Sequence, residues 1–531
     1  MVGVCENLGV TFGVTPVQAD LFLGSGGLVG GRVGSDSVWA VLHREGHRLF
    51  PDELFADLFS DRGRRSVPPQ IVATVMVLQR LYGKSDREAV EAFEFDTRWK
   101  YACGVDINFG GFAHTVLVDM RARLARSDRP KRIFEVTLEA ARAAGLVGVR
   151  RVLDSTPLYD AVATMDTITL IRSAMIQLLD AADSVLRVEL RAVMVSGDEY
   201  LSNAKPQIDW DSRAAREALI DSHARDGHAC LTLLNTRTLT IQVSEGAVLL
   251  ASLLGQDLIG GDDGVFRIAR KVARDRIIST VDPEARHGHK TAAKGFDGYK
   301  GHAAADPDTE IITATTVTAG NVGDGSVAEE LIRDLLDDAD RGATAEVFGD
   351  AAYGTGSFQN VLEKKQITSG CKTQSVSRRA NGLFAKDRFV VDLDADTVTC
   401  PNQVTVTISR HDDGSGTAKF GVACATCPLR PQCTSSRSGR TISIHTYEAV
   451  LVRARARNQD PVWRARYRET RPKIERKLGH LMRRKHGGRH ARVRGRTKID
   501  ADFSLLAAAA NLARLALKGL TATRNGWTTA A

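Results

Sequence analysis

The segment VRRVLDST, residues 149–156, reads as a short buried strand, yet the chain that follows it, from 166 to 275, carries helical pattern. One strand leaves its backbone donors and acceptors unpaired and cannot stand by itself. The next strand signals are RIISTVD, FDGYKGHAAAD and EIITATTVTA, after residue 275. The first strand must therefore pair across the helical stretch, which makes that stretch an insertion into a sheet domain. Beyond it, the helix GSVAEELIRDLLDDA, the strand AEVFGD, the helix SFQNVLEKK and the strand QITSGCK alternate. Antiparallel neighbours followed by strand and helix alternation predict an α/β fold, a mixed sheet with helices packed on it.

The remaining boundaries follow from changes of period. Residues 1–66 are Gly-rich at first and poorly defined. Residues 67–147 predict four helices: PPQIVATVMVLQRLYG, SDREAVEAFEFDTRWKYACG, FAHTVLVDMRARLARSD and RPKRIFEVTLEAARAAG. The second opens on a Ser85/Glu88 capping box and closes on Gly104. Its successor carries Arg121, Arg123 and Arg126, which either meet DNA phosphates or form the wet face of a helical bundle. Sheet segments fall at 148–165, 276–377 and 450–520, a helical insertion at 166–275, and a small polar β insertion at 378–446. The chain has 531 residues, enough for several cores. The start, MVGVCENLGV, lacks the basic residues of a secretory signal, and FSLLAAAANLARLAL is broken by Asn511 and Arg514, so an intracellular protein is expected.

Charge is concentrated. Between Leu451 and Asp500 stand 18 Lys and Arg against 4 Asp and Glu, a local net of +14 in a chain whose total is +8. The rest of the molecule is thus mildly acidic, and the patch favours a polyanion, because each neutralised phosphate releases condensed counterions. Arg471, Lys473, Arg476, Lys477, Arg483, Arg484 and Lys485 are its candidate DNA contacts.

One acid, Glu475, sits inside that basic run. It is either the partner of Arg471 or Lys473 on a solvated helix face, or a metal ligand. In TRPKIERKLGHLM, Thr470 is read as the helix cap and Pro472 as first-turn proline. Ile474, Leu478 and Leu481 form the buried stripe, with Glu475 at its edge. Asp154 and Asp350, in VLDST and VFGDAAYG, are expected at strand ends, where open sheets place functional groups. Converging carboxylates suit magnesium or manganese, and two such ions serve in-line phosphoryl displacement.

The ordered segments PPQIVATVMVLQRLYGKSDREAVEAFEFDTRWKYACG, VLDSTPLYDAVATMDT, DPEARHGHKTAAKGFDGYKGHAAADPDTEIITATTVTAGNVGDGSVAEELI, GDAAYG and RPKIERKLGHLMRRKHGGRHARVRG resemble bacterial insertion-sequence transposases of the DDE class. The resemblance runs from about residue 40 to 520. It implies an RNase H-like catalytic domain behind a helical N-terminal domain, with Asp154, Asp350 and Glu475 as ligands of Mg2+ or Mn2+. It further implies binding of double-stranded DNA at terminal inverted repeats and target sites, and cleavage followed by strand transfer. A homodimer or higher assembly on DNA, in the bacterial cytoplasm and associated with the nucleoid, completes that expectation. Two alternatives are a nuclease of the same fold without strand transfer and a catalytically dead DNA-binding descendant. The chain departs from the family's tyrosine, arginine, glutamate, lysine spacing: Tyr467 is four residues before Arg471, and Met482 occupies the lysine position ahead of Lys485. Glu469 is the rival third acid. Asp324, at a recurrent family position, is read as a helix cap in preference to a fourth acid.

Cys400, Cys424, Cys427 and Cys433, in TCPNQ and ACATCPLRPQC, predict a structural zinc clip over free or redox-active thiols. Cys5, Cys103, Cys230 and Cys371 are scattered. HGHK, with His287 and His289, is read as a polar loop.

Overall fold

The computed structural model describes residues 10–14, 24–60, 63–160, 164–200, 202, 205–291, 293–338, 345–374 and 382–530. Cys5 lies outside them. The N-terminal block holds helices α1 (Val38–Leu49), α2 (Pro69–Leu81), α3 (Asp86–Phe95), α4 (Thr97–Cys103), α5 (Thr115–Arg126) and α6 (Arg132–Ala143). The Ser85/Glu88 capping box is present, and Gly104 closes α4 in the left-handed region at φ 66°. The single helix expected from SDREAVEAFEFDTRWKYACG is two helices. Asp96 ends α3, and its carboxylate then accepts from the Arg98 N–H to start α4.

The sheet begins with β1 (Arg150–Tyr159), which runs five residues past Asp154 and does not end there as the sequence suggested. The reason is the partner strand: β1 pairs antiparallel with a later strand along its length from Val152 to Tyr159. Next come α7 (Thr167–Ala181), α8 (Ser184–Val193), α9 (Arg213–Leu234) and α10 (Ile241–Asp257), which bury a separate apolar core around Ile171, Leu178, Ala224 and Leu253. This insertion ends in a small hairpin, Leu258–Gly260 with Phe266–Ile268. GVFRIARKVARD, expected as helix, is the second arm of that hairpin followed by irregular chain. Phe266, Arg267 and Ile268 pair with the first arm, and the cations after them find no apolar stripe to bury.

The chain returns as β2 (Arg286–Thr291), β3 (Lys294–Ala305) and β4 (Ile312–Ala319), then β5 (Glu346–Gly349), α11 (Gly356–Lys364) and β6 (Thr368–Cys371). HGHK lies on β2, an edge strand, and is not a loop. The order across the sheet is β6, β5, β1, β3, with β2 on the first half of β3 and β4 on the second. Pairs β1/β3, β3/β2 and β3/β4 are antiparallel, while β1/β5 and β5/β6 are parallel. The helix expected from GSVAEELIRDLLDDA is broken into three short turns, Asp324–Val327, Ala328–Leu331 and Arg333–Asp337.

Residues 390–444 form a five-stranded antiparallel meander, β7 (Val390–Asp392) through β8 (Thr397–Thr399), β9 (Thr405–Arg410), β10 (Gly416–Lys419) and β11 (Thr441–Ile444), around Phe389, Val398, Ile408 and Phe420. Three helices follow, α12 (Glu448–Arg457), α13 (Pro461–Leu481) and α14 (Arg496–Leu517), and then a short hairpin, Thr521–Thr523 with Gly526–Thr528. Helix α13 starts earlier than expected, because Asp460 caps it and Pro461 fills its first position. Thr470 is buried inside it and Pro472 interrupts its interior. The run Ala507–Ala510 of α14 is buried between β4 and the helices α2 and α6, so the N-terminal block and the sheet share one core. Asn511 completes the edge of β4: its amide donates to the Ile312 carbonyl at 2.8 Å and its carbonyl accepts from the Ile312 N–H at 2.8 Å. No helix among the described residues is long and apolar enough to cross a membrane.

Candidate active site

The sheet register brings the two aspartates together. Parallel pairing of β1 with β5 ends at Val152 opposite Phe348. Side chains repeat every two residues along a strand, so the next positions on that face are Asp154 and Asp350. Beyond the last pair β5 gives way to a turn, in which Asp350 accepts from the Ala352 N–H at 2.9 Å. The same edge of β1 is covered again only at its far end, where Tyr159 N–H donates to the Arg489 carbonyl and Ala491 N–H donates to that of Tyr159. Between those two covers lies the opening.

Helix α13 packs on β1, β5 and β6 through Ile474, Leu478 and Leu481, which are buried as their spacing predicted. That packing sets Arg471 over the opening. Its guanidinium donates to Asp154 at 2.7 Å and stands 3.5 Å from Glu475 and 3.9 Å from Asp350. All three sequence-predicted acids therefore gather around one cation. Arg471 is 7% exposed, Asp154 15%, Asp350 42% and Glu475 58%, so the site is buried at Asp154 and opens toward solvent at the glutamate. Glu469, the rival acid, is exposed on α13. Tyr467 is half-buried, stacked on Trp463 with ring centroids 5.0 Å apart.

Burial pushes the Asp154 carboxyl above the usual carboxylate range; Arg471 opposes this and Asp350 adds to it. Burial works against the charge of Arg471, but Asp154, Glu475 and Asp350 outweigh it and hold the guanidinium charged. Two of its polar atoms, Nε and Nη1, have no hydrogen-bond partner. The donor set of three carboxylates fits a hard divalent ion. Among the described residues no group of three or more His, Cys, Asp or Glu already stands in metal-holding geometry, and here the common centre is taken by Arg471.

Asp324 does not cap the turn it begins. Its carboxylate accepts from Lys300 at 2.8 Å and from the Ser155 hydroxyl at 2.6 Å, since β3 and β1 bring those groups beside it. It lines, with Asp154 and Asp350, a cleft of about 530 Å³. Beneath the cleft, Tyr353 is fully buried and pairs with His302 Nδ1 at 2.9 Å, while His302 Nε2 meets the Thr318 hydroxyl at 2.9 Å. Sequence reasoning missed Lys300, Ser155 and Tyr353. The alternation in FDGYKGH, with Lys300 and His302 on one strand face, was the available signal.

The basic residues divide. Arg471 is spent on the acids; Lys477 is buried near Glu310, with burial lowering its ammonium to about 8; Lys473 pairs with Asp308 at 3.6 Å; and Arg476 pairs with Glu310. Arg483, Arg484 and Lys485 are exposed beyond α13. On α5, Arg121 bonds Asp86 at 2.5 Å and Arg123 lies over the Phe59 ring at 4.6 Å, leaving only Arg126 of the three fully on the surface. The four clustered cysteines line one small cavity of the meander, where the Arg440 N–H donates to Cys424 Sγ at 3.4 Å. Burial raises the Cys433 thiol, with Cys424, Cys400 and Cys427 adding to the shift. They share a cavity without forming a ready ligand set.

Two family models match the sequence. A transposase DDE domain covers residues 399–516, which include Arg471 and Glu475 but neither aspartate, and a transposase domain of the DUF772 type covers residues 42–123, from α1 into α5. No curated protein and no solved structure matches the chain. The chain thus carries two stretches that match transposase domains, the later of them of the DDE type, and together they indicate an insertion-sequence DDE transposase.

Proposed function

We propose that the protein cuts DNA at the ends of its own mobile element and joins the exposed 3′ hydroxyls to a target. The observation that carries this reading is the convergence of Asp154, Asp350 and Glu475 on Arg471. The strand order β4, β3, β1, β5, β6, with its first three strands antiparallel and its last two parallel to β1, supports an RNase H-like catalytic unit. Its segments are 148–165, 276–377 and 450–520. The helical N-terminal domain is 67–147, and the helical and Cys-rich insertions are 166–275 and 378–446.

In this reading Asp154, Asp350 and Glu475 hold divalent Mg2+ or Mn2+, which supplies activation of the attacking oxygen and charge neutralisation at the phosphate. Asp154, anchored within paired β1, fixes the position of the site. Asp350 and Glu475, more exposed, admit the substrate from solvent. Arg471 leaves the centre of the acids and turns Nε and Nη1, which make no hydrogen bond within the protein, to a DNA phosphate. Arg483, Arg484 and Lys485 hold the flanking duplex. Holding two element ends at once requires a dimer or larger assembly on DNA. Zinc at Cys400, Cys424, Cys427 and Cys433 belongs to the same reading, supported by their shared cavity. Metal analysis of protein purified without chelator tests it: about one zinc per chain is expected for a four-thiolate site, and none refutes it.

The test of the activity is cleavage and strand transfer with DNA carrying the sequences that flank the gene. Mg2+- or Mn2+-dependent nicking that joins ends to a target plasmid is expected. Asp154→Asn or Asp350→Asn should abolish it while DNA binding persists. Cutting without joining would favour the nuclease, and cutting that survives both substitutions would refute the assigned site.

A further inference from the structure

The cleft that holds the acids continues into a second, wider groove of about 660 Å³, and the two share His289, Lys300 and Gly323. One wall is the irregular segment after the insertion's hairpin, including Val272 and Arg274. The other is the edge strand β2, with His287 and His289. The floor is backbone: a Cβ on Gly288 would fall 2.2 Å from the Gly320 carbonyl oxygen, so no side chain rises there. Four cations and acids of the walls are paired in place, Arg276 with Asp257 at 2.7 Å, Arg286 with Asp275 at 2.9 Å, His287 with Asp297 at 2.7 Å and Lys300 with Asp324 at 2.8 Å. The Asn321 amide ties the two walls by donating to Asp275 at 2.8 Å. Among the described residues, other cations stay exposed and make no ion pair: Arg274, which lines the groove, Arg270 and Lys271, which precede it in the same segment, and Lys290 of β2, which lines the adjoining acid cleft.

We infer that this groove carries a single DNA strand leading away from the scissile phosphate, its phosphates held by Arg274 within the groove, by His289 and Lys290 where it joins the acid cleft, and by Arg270 and Lys271 of the segment that leads to Arg274. The inference rests on the DNA-cutting reading above and adds a path that the basic run after α13 does not supply. Position and lining suit a strand of nucleotides. The groove also opens directly onto Asp154 and Asp350 through the shared residues, so a strand whose phosphate sits at the acids has its neighbours there. Exposed Val272, 80% accessible between the cations, offers an apolar surface to a base.

The experiment uses the full-length protein and two labelled probes, a blunt duplex and the same duplex with a single-stranded extension, titrated over a salt series. For the variant Arg270→Gln/Lys271→Gln/Arg274→Gln, affinity for the extended probe should fall about 10-fold, with the slope of log affinity against log salt shallower by about 2. Binding of the blunt probe should stay within about twofold, because the cations that grip duplex lie elsewhere. His289→Ala/Lys290→Gln, on the opposite wall, should weaken the extended probe alone in the same sense, which guards against a folding defect in either variant. Equal loss on both probes, or no loss on the extended one, overturns the inference while leaving the transposase reading intact. Failure of the unmodified protein to bind either probe overturns both.

Discussion

Arg471 donates to Asp154 across 2.7 Å, and these two residues, 317 positions apart in the chain, fix the candidate site. Arg471 is buried and Asp154 mostly so, which makes each charge costly without the other. Replacing Arg471 with Gln leaves a buried carboxylate facing two others. The expected result is a loss of about 3 kcal/mol of stability without divalent ion, partly restored by Mg2+, which takes over as counter-charge. Thermal unfolding with and without Mg2+ measures it; a variant as stable as the parent and indifferent to Mg2+ would show that the acids are not gathered.

Basic residues of the same helix region should separate by role. Arg484→Gln removes an exposed charge and is expected to lower DNA affinity with a salt slope shallower by roughly 1. Lys477→Gln removes a buried ammonium near Glu310 and should leave both unchanged. Fluorescence anisotropy at several salt concentrations distinguishes the two, and equal effects would contradict the burial of Lys477.

Asn511→Leu tests the edge of β4. The substitution fits the apolar core around it but strands the Ile312 N–H and carbonyl, both buried and both bonded to the amide. Two unsatisfied backbone groups cost about 2 to 4 kcal/mol in total. Urea unfolding should show a lower midpoint, and an unchanged midpoint would mean that water or another group replaces the amide.

Acid stability should follow two histidines. Burial lowers His302 and His486 to about 4, below the ordinary imidazole value of about 6.5. Between those values the unfolded chain takes up protons that the native one refuses. Stability is therefore full above pH 6.5 and falls as pH drops toward 4, by up to about 1.4 kcal/mol per pH unit for each group. Unfolding free energies at pH 7 and 5 measure the loss, and His302→Gln should shrink it; a pH-independent value over this range would refute the neutral burial of both.

Local signals that need no distant partner were legible in the sequence. The capping box of Ser85, the left-handed stop at Gly104 and the apolar stripe of Ile474, Leu478 and Leu481 depend on residues a few positions apart, and each stands as read. The three acids were recognisable as candidates from their settings in strand and helix. Misreadings came where a remote element decided. Its sequence setting makes Asp154 a strand end, but β3 extends β1 past it. Asp324 reads in sequence as a cap, but Lys300 and Ser155 claim its carboxylate. The pattern of Arg270–Arg274 predicts helix, but its neighbours pair as a hairpin and leave it irregular, with Val272 to Arg274 beside a groove.

By itself the sequence determined which side chains carry charge, which faces are apolar and that one strand had to find partners beyond an insertion. Only the tertiary structure decided which of the many cations meets the acids. Arg471 and Lys477 look alike in sequence, yet helix packing against the sheet turns one over Asp154 and buries the other beside Glu310. Charge is a property of the residue, but desolvation and partnership are properties of the place the fold puts it.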